Sequence, residues 1–292
     1  MILPYKTYRS YLKKRYGEPI LKIPVNGGFS CPNIDKGESC TFCDNVSFSP
    51  AALKSDEVVN QFQRVRDRNI NRYNMFIAYL QPNTNTYAPL NELKNMYESL
   101  IEQDGVIGLA IGTRPDSISN ELYDYLEELN KKTYLSIELG LQSSNDSTLK
   151  RIQRGHTFKD FVKATEKLTK RGIEVVAHVM TGLPGESFVD TVKTVTDLSK
   201  LPIKGIKIHQ LMVIKDTVIE EQYNKGIVKP LTIDEHGKIL IEMFKELRPD
   251  IYIHRIMADA KPKFGLIAPD WSAEKDKSMM YLQKKIIAGL EQ

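Results

Sequence analysis

The chain has 292 residues, 41 Lys and Arg against 37 Asp and Glu for a formal charge of +4, and 41% hydrophobic residues. That composition excludes a disordered or collagen-like polymer and allows one large α/β domain or two small ones, either with a sizeable core. No stretch reaches the ~18 consecutive apolar residues of a membrane span, and the opening Met1-Ile2-Leu3-Pro4-Tyr5-Lys6 lacks the order of a secretory signal, so a cytoplasmic protein off the membrane is expected.

In chain order, six short apolar segments bounded by turn residues read as strands: Leu21–Val25, Met75–Leu80, Val106–Ile111, Tyr134–Leu139, Val175–Met180 and Ile206–Leu211. Helix-period stretches lie between them. Ser55 precedes Val58, Val59, Phe62 and Val65; Leu90, Leu93, Tyr97 and Leu100 share a face, as do Val189, Val192 and Val195. Thr232 followed by Glu235 is a capping box ahead of Ile239, Met243 and Leu247. Six strand-then-helix units require right-handed parallel crossovers, which curl the sheet into an open or closed barrel with helices outside. The fold class is therefore α/β, a single domain with an N-terminal extension (1–20), a barrel core (21–215) and C-terminal helices with a tail (216–292). The segments 26–55 and 258–272 are long loops, which in compact domains tend to be functional.

The three cysteines, Cys31, Cys40 and Cys43, all fall in the loop after the first strand, at the strand end where α/β barrels keep their chemistry. An odd, clustered set is no disulfide framework. Gly27, Gly28, Pro32 and Gly37 let the backbone bend so that three thiolates converge, and thiolates suit iron–sulfur clusters and zinc. With no fourth cysteine, a four-metal cluster keeps one metal free for an exchangeable ligand. A zinc site completed by one of the five histidines is the competing reading.

The ending Cys40-x-Phe42-Cys43 resembles the signature of the radical S-adenosylmethionine (SAM) superfamily, although eight residues separate Cys31 from Cys40 where the commonest pattern has three. The longer first loop is similar to that of the elongator catalytic subunit and of the bacterial YhcC/YtqA family. Resemblance to that bacterial family runs through most of the chain: Tyr8 to Tyr16, Gly28-Phe-Ser-Cys-Pro-Asn, Gln81-Pro-Asn-Thr-Asn-Thr-Tyr-Ala-Pro, Thr113-Arg-Pro-Asp, Glu138-Leu-Gly-Leu-Gln-Ser, Arg154-Gly-His-Thr, Gly182-Leu-Pro-Gly-Glu, His254-Arg and Ile267-Ala-Pro-Asp-Trp-Ser. It implies a partial (β/α)6 TIM-like barrel in which Cys31, Cys40 and Cys43 hold a 4Fe-4S cluster and the fourth iron chelates SAM.

The same resemblance implies the SAM contacts. Gln81 and Thr84 stand where the superfamily has a Gly-rich motif, although Pro82 and Asn83 replace the glycines. Gln142 matches a ribose contact. Glu138, an acid in an apolar strand, is costly to bury unless ribose hydroxyls, a hydrogen bond or a salt bridge satisfies it. Arg154, twelve residues after Gln142, matches an arginine directed at the SAM carboxylate, a task suited to a planar guanidinium. His178 is either a ribose partner or a core histidine. Of His209 and Gln210, which the strand period sends to opposite faces, one lines the cavity. Trp271 is read as packing, with the tail otherwise closing the barrel or touching substrate.

The implied chemistry is transfer of one electron into the SAM sulfonium and abstraction of a substrate hydrogen by the resulting 5′-deoxyadenosyl radical. No catalytic acid or base is assigned. Kinship with the elongator subunit implies a tRNA substrate, remodelled at the C5 side chain of the wobble uridine from carboxymethylaminomethyl toward aminomethyl. An electron donor such as flavodoxin or ferredoxin is expected with it. Lys13-Lys14-Arg15 and Lys261-Pro-Lys263 are either phosphate contacts or solvated surface. A radical SAM enzyme acting on a small metabolite or cofactor, and a non-enzymatic zinc module, are the alternatives.

Overall fold

The computed structural model describes residues 3–44 and 57–291, so Ser55 lies outside the described residues. In chain order the strands are β1 (Ile20–Val25), β2 (Met75–Leu80), β3 (Val106–Thr113), β4 (Tyr134–Gln142), β5 (Glu174–Thr181), β6 (Gly205–Gln210), β7 (Val213–Ile214), β8 (Tyr252–Arg255) and β9 (Leu266–Ala268). β1 to β6 and then β8 lie side by side in one seven-stranded parallel sheet, whereas β7 and β9 form a separate antiparallel pair. The helices are α1 (Tyr8–Tyr16), α2 (Pro32–Asp35), α3 (Val58–Asp67), α4 (Leu90–Ile101), α5 (Asn120–Lys132), α6 (Asp146–Arg151), α7 (Phe158–Thr169), α8 (Phe188–Leu198), α9 (Val218–Asn224), α10 (Ile233–Glu246) and α11 (Lys275–Leu290).

Strand alternation sets the layers. On β4, Leu135, Ile137, Leu139 and Leu141 belong to the core that joins the sheet to its helices, among Phe161, Leu168 and Val195. The intervening Glu138, Gly140 and Gln142 line the interior cavity. The helices start at specified points: Thr157 with Asp160, Ser187 with Asp190, and Thr232 with Glu235 each form a capping box.

The sheet is curled. Lys22 on β1 pairs with Glu138 on β4, and Lys207 Nζ on β6 donates to the Tyr79 hydroxyl on β2 at 2.8 Å, contacts that no flat sheet allows. The result is the expected partial barrel, with one strand more than expected. Tyr252-Ile-His-Arg255 has four residues and little apolar character, so nothing in its local pattern marks it as a strand. It is one only because Gly205 and Ile206 on β6 offer it an edge. α1 spans the barrel's open side: Ile253 N donates to Lys6 O at 2.8 Å, Tyr8 stacks on His254 at 3.8 Å, and Tyr11 meets Tyr252 at 4.4 Å. Among the described residues no helix is long and apolar enough to cross a membrane.

Candidate active site

The cysteine loop is fastened to the loop after α6. Asn33 follows Pro32 in the short helix α2, is buried, and its Nδ2 donates to Gln153 O at 2.8 Å, to Arg154 O at 3.3 Å and to Cys40 Sγ at 3.5 Å. Thr41 N donates to Ile152 O at 3.1 Å. Gly155 permits this approach, because at φ +78° it is left-handed and a Cβ there would lie 2.6 Å from Asn33 Oδ1. On the other side Asn83 Nδ2 donates to Phe29 O at 2.8 Å and Thr84 N to Ser30 O at 3.3 Å, which joins the loop after β2 to the same segment.

None of the three cysteines is in a disulfide, and all three line one cavity of about 540 Å³ inside the barrel, a volume within the usual range for ligand sites. Burial raises the Cys31 thiol's pKa, but the Thr84 hydroxyl, the Asn33 backbone and the charges of Arg114 and Arg154 bring it below its ordinary value. Cys43 is pushed up to about 12 by burial and by Cys40 beside it. Among the described residues no group of three His, Cys, Asp or Glu side chains could hold a metal ion. A cubane takes one thiolate per iron, so three thiols on one cavity suffice for it without meeting at a single ion. Three soft donors, no fourth cysteine and an adjoining cavity therefore fit a 4Fe-4S cluster with one open iron.

Arg154 stands at the thiols. Its Nε and Nη2 donate to Gly140 O at 3.2 and 2.7 Å, and Nη1 lies 3.6 Å from Cys40 Sγ. A Cβ on Gly140 would run into the Arg154 guanidinium, so glycine is needed at that point of β4. Arg114, which the sequence reading left without a role, is buried on the same wall. It grips Asp116 with two bonds of 3.0 and 2.7 Å and keeps Nη1 without a hydrogen-bond partner among the described residues. Gln81, Thr84, Gln142 and His178 also line this cavity.

Deeper in the barrel lies a buried charge network. Glu138 has no exposed surface; it pairs with Lys22, accepts from Lys207 Nζ at 3.1 Å and lies 2.6 Å from His178 Nε2. Burial alone would raise its pKa, but Lys207, Lys22 and His178 hold it well below the usual carboxylate range. Burial, with the Lys207 charge, sends His178 down to about 4, so at neutral pH its imidazole is neutral and donates to Glu138. Both lysines lie over the Tyr79 ring, 3.9 Å and 4.7 Å from its centroid. The salt-bridge reading of Glu138 is thus what the geometry displays, and its partners Lys22 and Lys207 were missed from sequence. An ammonium inside each of two apolar strands was the available signal.

His209 and Gln210 both line the cavity, where one of the two was expected, and Gln210 is held there by its amide bonds to Ala258 and Ser272. Trp271 donates to Leu231 O at 3.0 Å and stacks near His236, a packing role. Arg15 is engaged by Tyr11 and Glu174, and Lys261 by Ala273 O.

A parallel half-barrel whose three thiols, none in a disulfide, line an interior cavity is the frame of a cofactor-binding barrel protein. The model of the Radical SAM superfamily matches residues 29–198 and that of the Radical_SAM C-terminal domain residues 203–287, and the chain belongs to the radical SAM superfamily. Its members bind a 4Fe-4S cluster and SAM. The chain is 35% identical over 291 residues to the Bacillus subtilis protein YtqA, covering 97% of this chain and 89% of that one. It is 33% identical to a Methanocaldococcus infernus tRNA uridine(34) acetyltransferase, over 46% of this chain and 25% of the other. Among solved structures, an archaeal Elp3 from Methanocaldococcus infernus superposes with TM-score 0.66 at 17% identity, over 92% of this chain and 63% of that chain, a likeness of fold.

Proposed function

We propose that the chain is a radical SAM enzyme whose Cys31, Cys40 and Cys43 ligate a 4Fe-4S cluster and whose substrate is the C5 side chain of the wobble uridine in tRNA. The observation that carries the first part is the set of three thiols, none in a disulfide, that line one cavity beside Arg154 and Arg114. The second part is supported by the likeness to a tRNA uridine(34) acetyltransferase, which stops short of most of that protein's length, so acetyl transfer is no part of the proposal.

Bound there, the cluster and SAM supply a 5′-deoxyadenosyl radical that removes one hydrogen from substrate. The chain's own groups bind and orient. Arg154, fixed by Gly140 O, offers its guanidinium to the SAM carboxylate; Gln142, with Gln81 and Thr84 across the cavity, offers amide, hydroxyl and backbone groups to the rest of SAM. The barrel wall keeps water from the reacting carbon. A flavodoxin- or ferredoxin-type protein is the proposed electron source.

Anaerobic reconstitution tests the first part: about four irons per chain and 5′-deoxyadenosine released from SAM after dithionite are expected, and a colourless protein with one zinc overturns it. Mass spectrometry of tRNA nucleosides from cells with and without the gene tests the second. A changed C5-substituted uridine is expected, and an unchanged profile removes tRNA as substrate.

A further inference from the structure

The inner end of the cavity carries more positive charge than its own carboxylates balance. Of the residues lining it, Lys22, Lys207 and Arg255 are cations against Glu138 and Asp259 as anions. Asp259 is shared further, since Lys275 Nζ lies 3.0 Å from its Oδ1 while Arg255 Nη2 is 3.7 Å away. Arg255 occupies the β8 position that registers with Lys207 on β6. Between these cations His209 Nε2 is buried without a hydrogen-bond partner among the described residues, although its ring lines the cavity and lies 5.9 Å from that of His178. A polar ring atom left so is costly, and a ligand that accepts from it beside two cations relieves that cost.

We infer that this end of the cavity seats a carboxylate of the substrate, held by Lys207 and Arg255 and hydrogen-bonded by His209 Nε2. A guanidinium, an ammonium and one neutral N–H suit the two oxygens of a carboxylate, and the phosphate arm of the test below separates a dianion. Burial and the charge of Arg255 keep the His209 imidazole neutral, so in the tautomer protonated at Nε2 it donates one hydrogen bond without adding charge. The inference deepens the proposed function, because it rests on this cavity being the substrate site and names the group that the site selects.

The test follows the histidine ring signals of 15N-histidine-labelled, anaerobically reconstituted protein by NMR at constant ionic strength, with saturating SAM. Acetate, its neutral isostere acetamide, and inorganic phosphate are the probes. Acetate is expected to move the His209 signal saturably, acetamide to leave it in place, and phosphate to bind more weakly than acetate. Arg255→Gln is expected to weaken acetate at least fivefold, and this partly exposed residue gives a readout even where Lys207→Met fails to fold. Equal effects of acetate and acetamide, or a His209 signal that never moves, overturn the inference. Tighter binding of phosphate overturns the carboxylate assignment, and an acetate effect that only appears without SAM assigns the seat to the cofactor's own carboxylate instead. Calorimetry with 5-carboxymethylaminomethyluridine and its amide then separates the readings: acetate seated but neither nucleoside bound leaves the carboxylate seat standing and removes the uridine.

Discussion

A carboxylate with no exposed surface persists in β4 because two ammonium groups and an imidazole reach it from three other strands. Glu138→Gln removes the charge and leaves Lys22 and Lys207 facing each other in a low-dielectric interior, a loss of about 3–5 kcal/mol in denaturant unfolding. Adding Lys207→Met to it is expected to recover part of that loss, and a double variant no more stable than the single contradicts the pairing. Arg154→Lys keeps a charge but gives up the two N–H groups on Gly140 O, and about 1–3 kcal/mol of stability is expected to go with them. The pH dependence has a definite sign. His178 and His236 are each lowered by burial to about 4, whereas an unfolded histidine titrates near 6.5. Between those values the unfolded chain binds more protons, so their contribution is complete above pH ~6.5 and is lost as pH falls toward 4, at up to roughly 3 kcal/mol per pH unit for the two together. Guanidinium unfolding at several pH values, with iron content followed alongside, checks this; a stability that stays flat from about 6.5 to 5 contradicts it.

The elements show what a sequence can disclose. β1 to β6 were legible because each is a short apolar or alternating run between turn residues, and α10 because Thr232 and Glu235 announce its start. Thr232→Ala is expected to cost about 1 kcal/mol while leaving 5′-deoxyadenosine formation unchanged, since the cap is remote from the cavity lining. β8 was not legible, because a four-residue strand is made by the neighbour it pairs with rather than by its own composition. The site divides in the same way. The cysteine loop and Arg154 could be found from spacing and resemblance. The partners of Glu138 could not, since Lys22 lies 116 and Lys207 69 positions away and only the curl of the sheet brings them in.

At the scale of the whole molecule, outward strand faces hold the helices and inward faces line the cavity, so the two sets of residues answer to different demands. Truncating outward Ile137 to Ala is expected to lower stability by about 2–5 kcal/mol without altering which substrate is accepted. A tRNA substrate adds a prediction for the complex: binding measured by filter retention is expected to weaken at least tenfold between about 50 and 200 mM salt, and salt-independent binding contradicts phosphate contacts.

The strap that α1 lays from Lys6 and Thr7 to Ile253 has a temporal consequence. Its two ends lie 253 − 7 = 246 residues apart in the chain, so α1 waits for its partners until the last parallel strand has been made. The interior of this barrel is therefore finished only after β8 has been made, and an iron–sulfur donor that loads the finished cavity acts after that point.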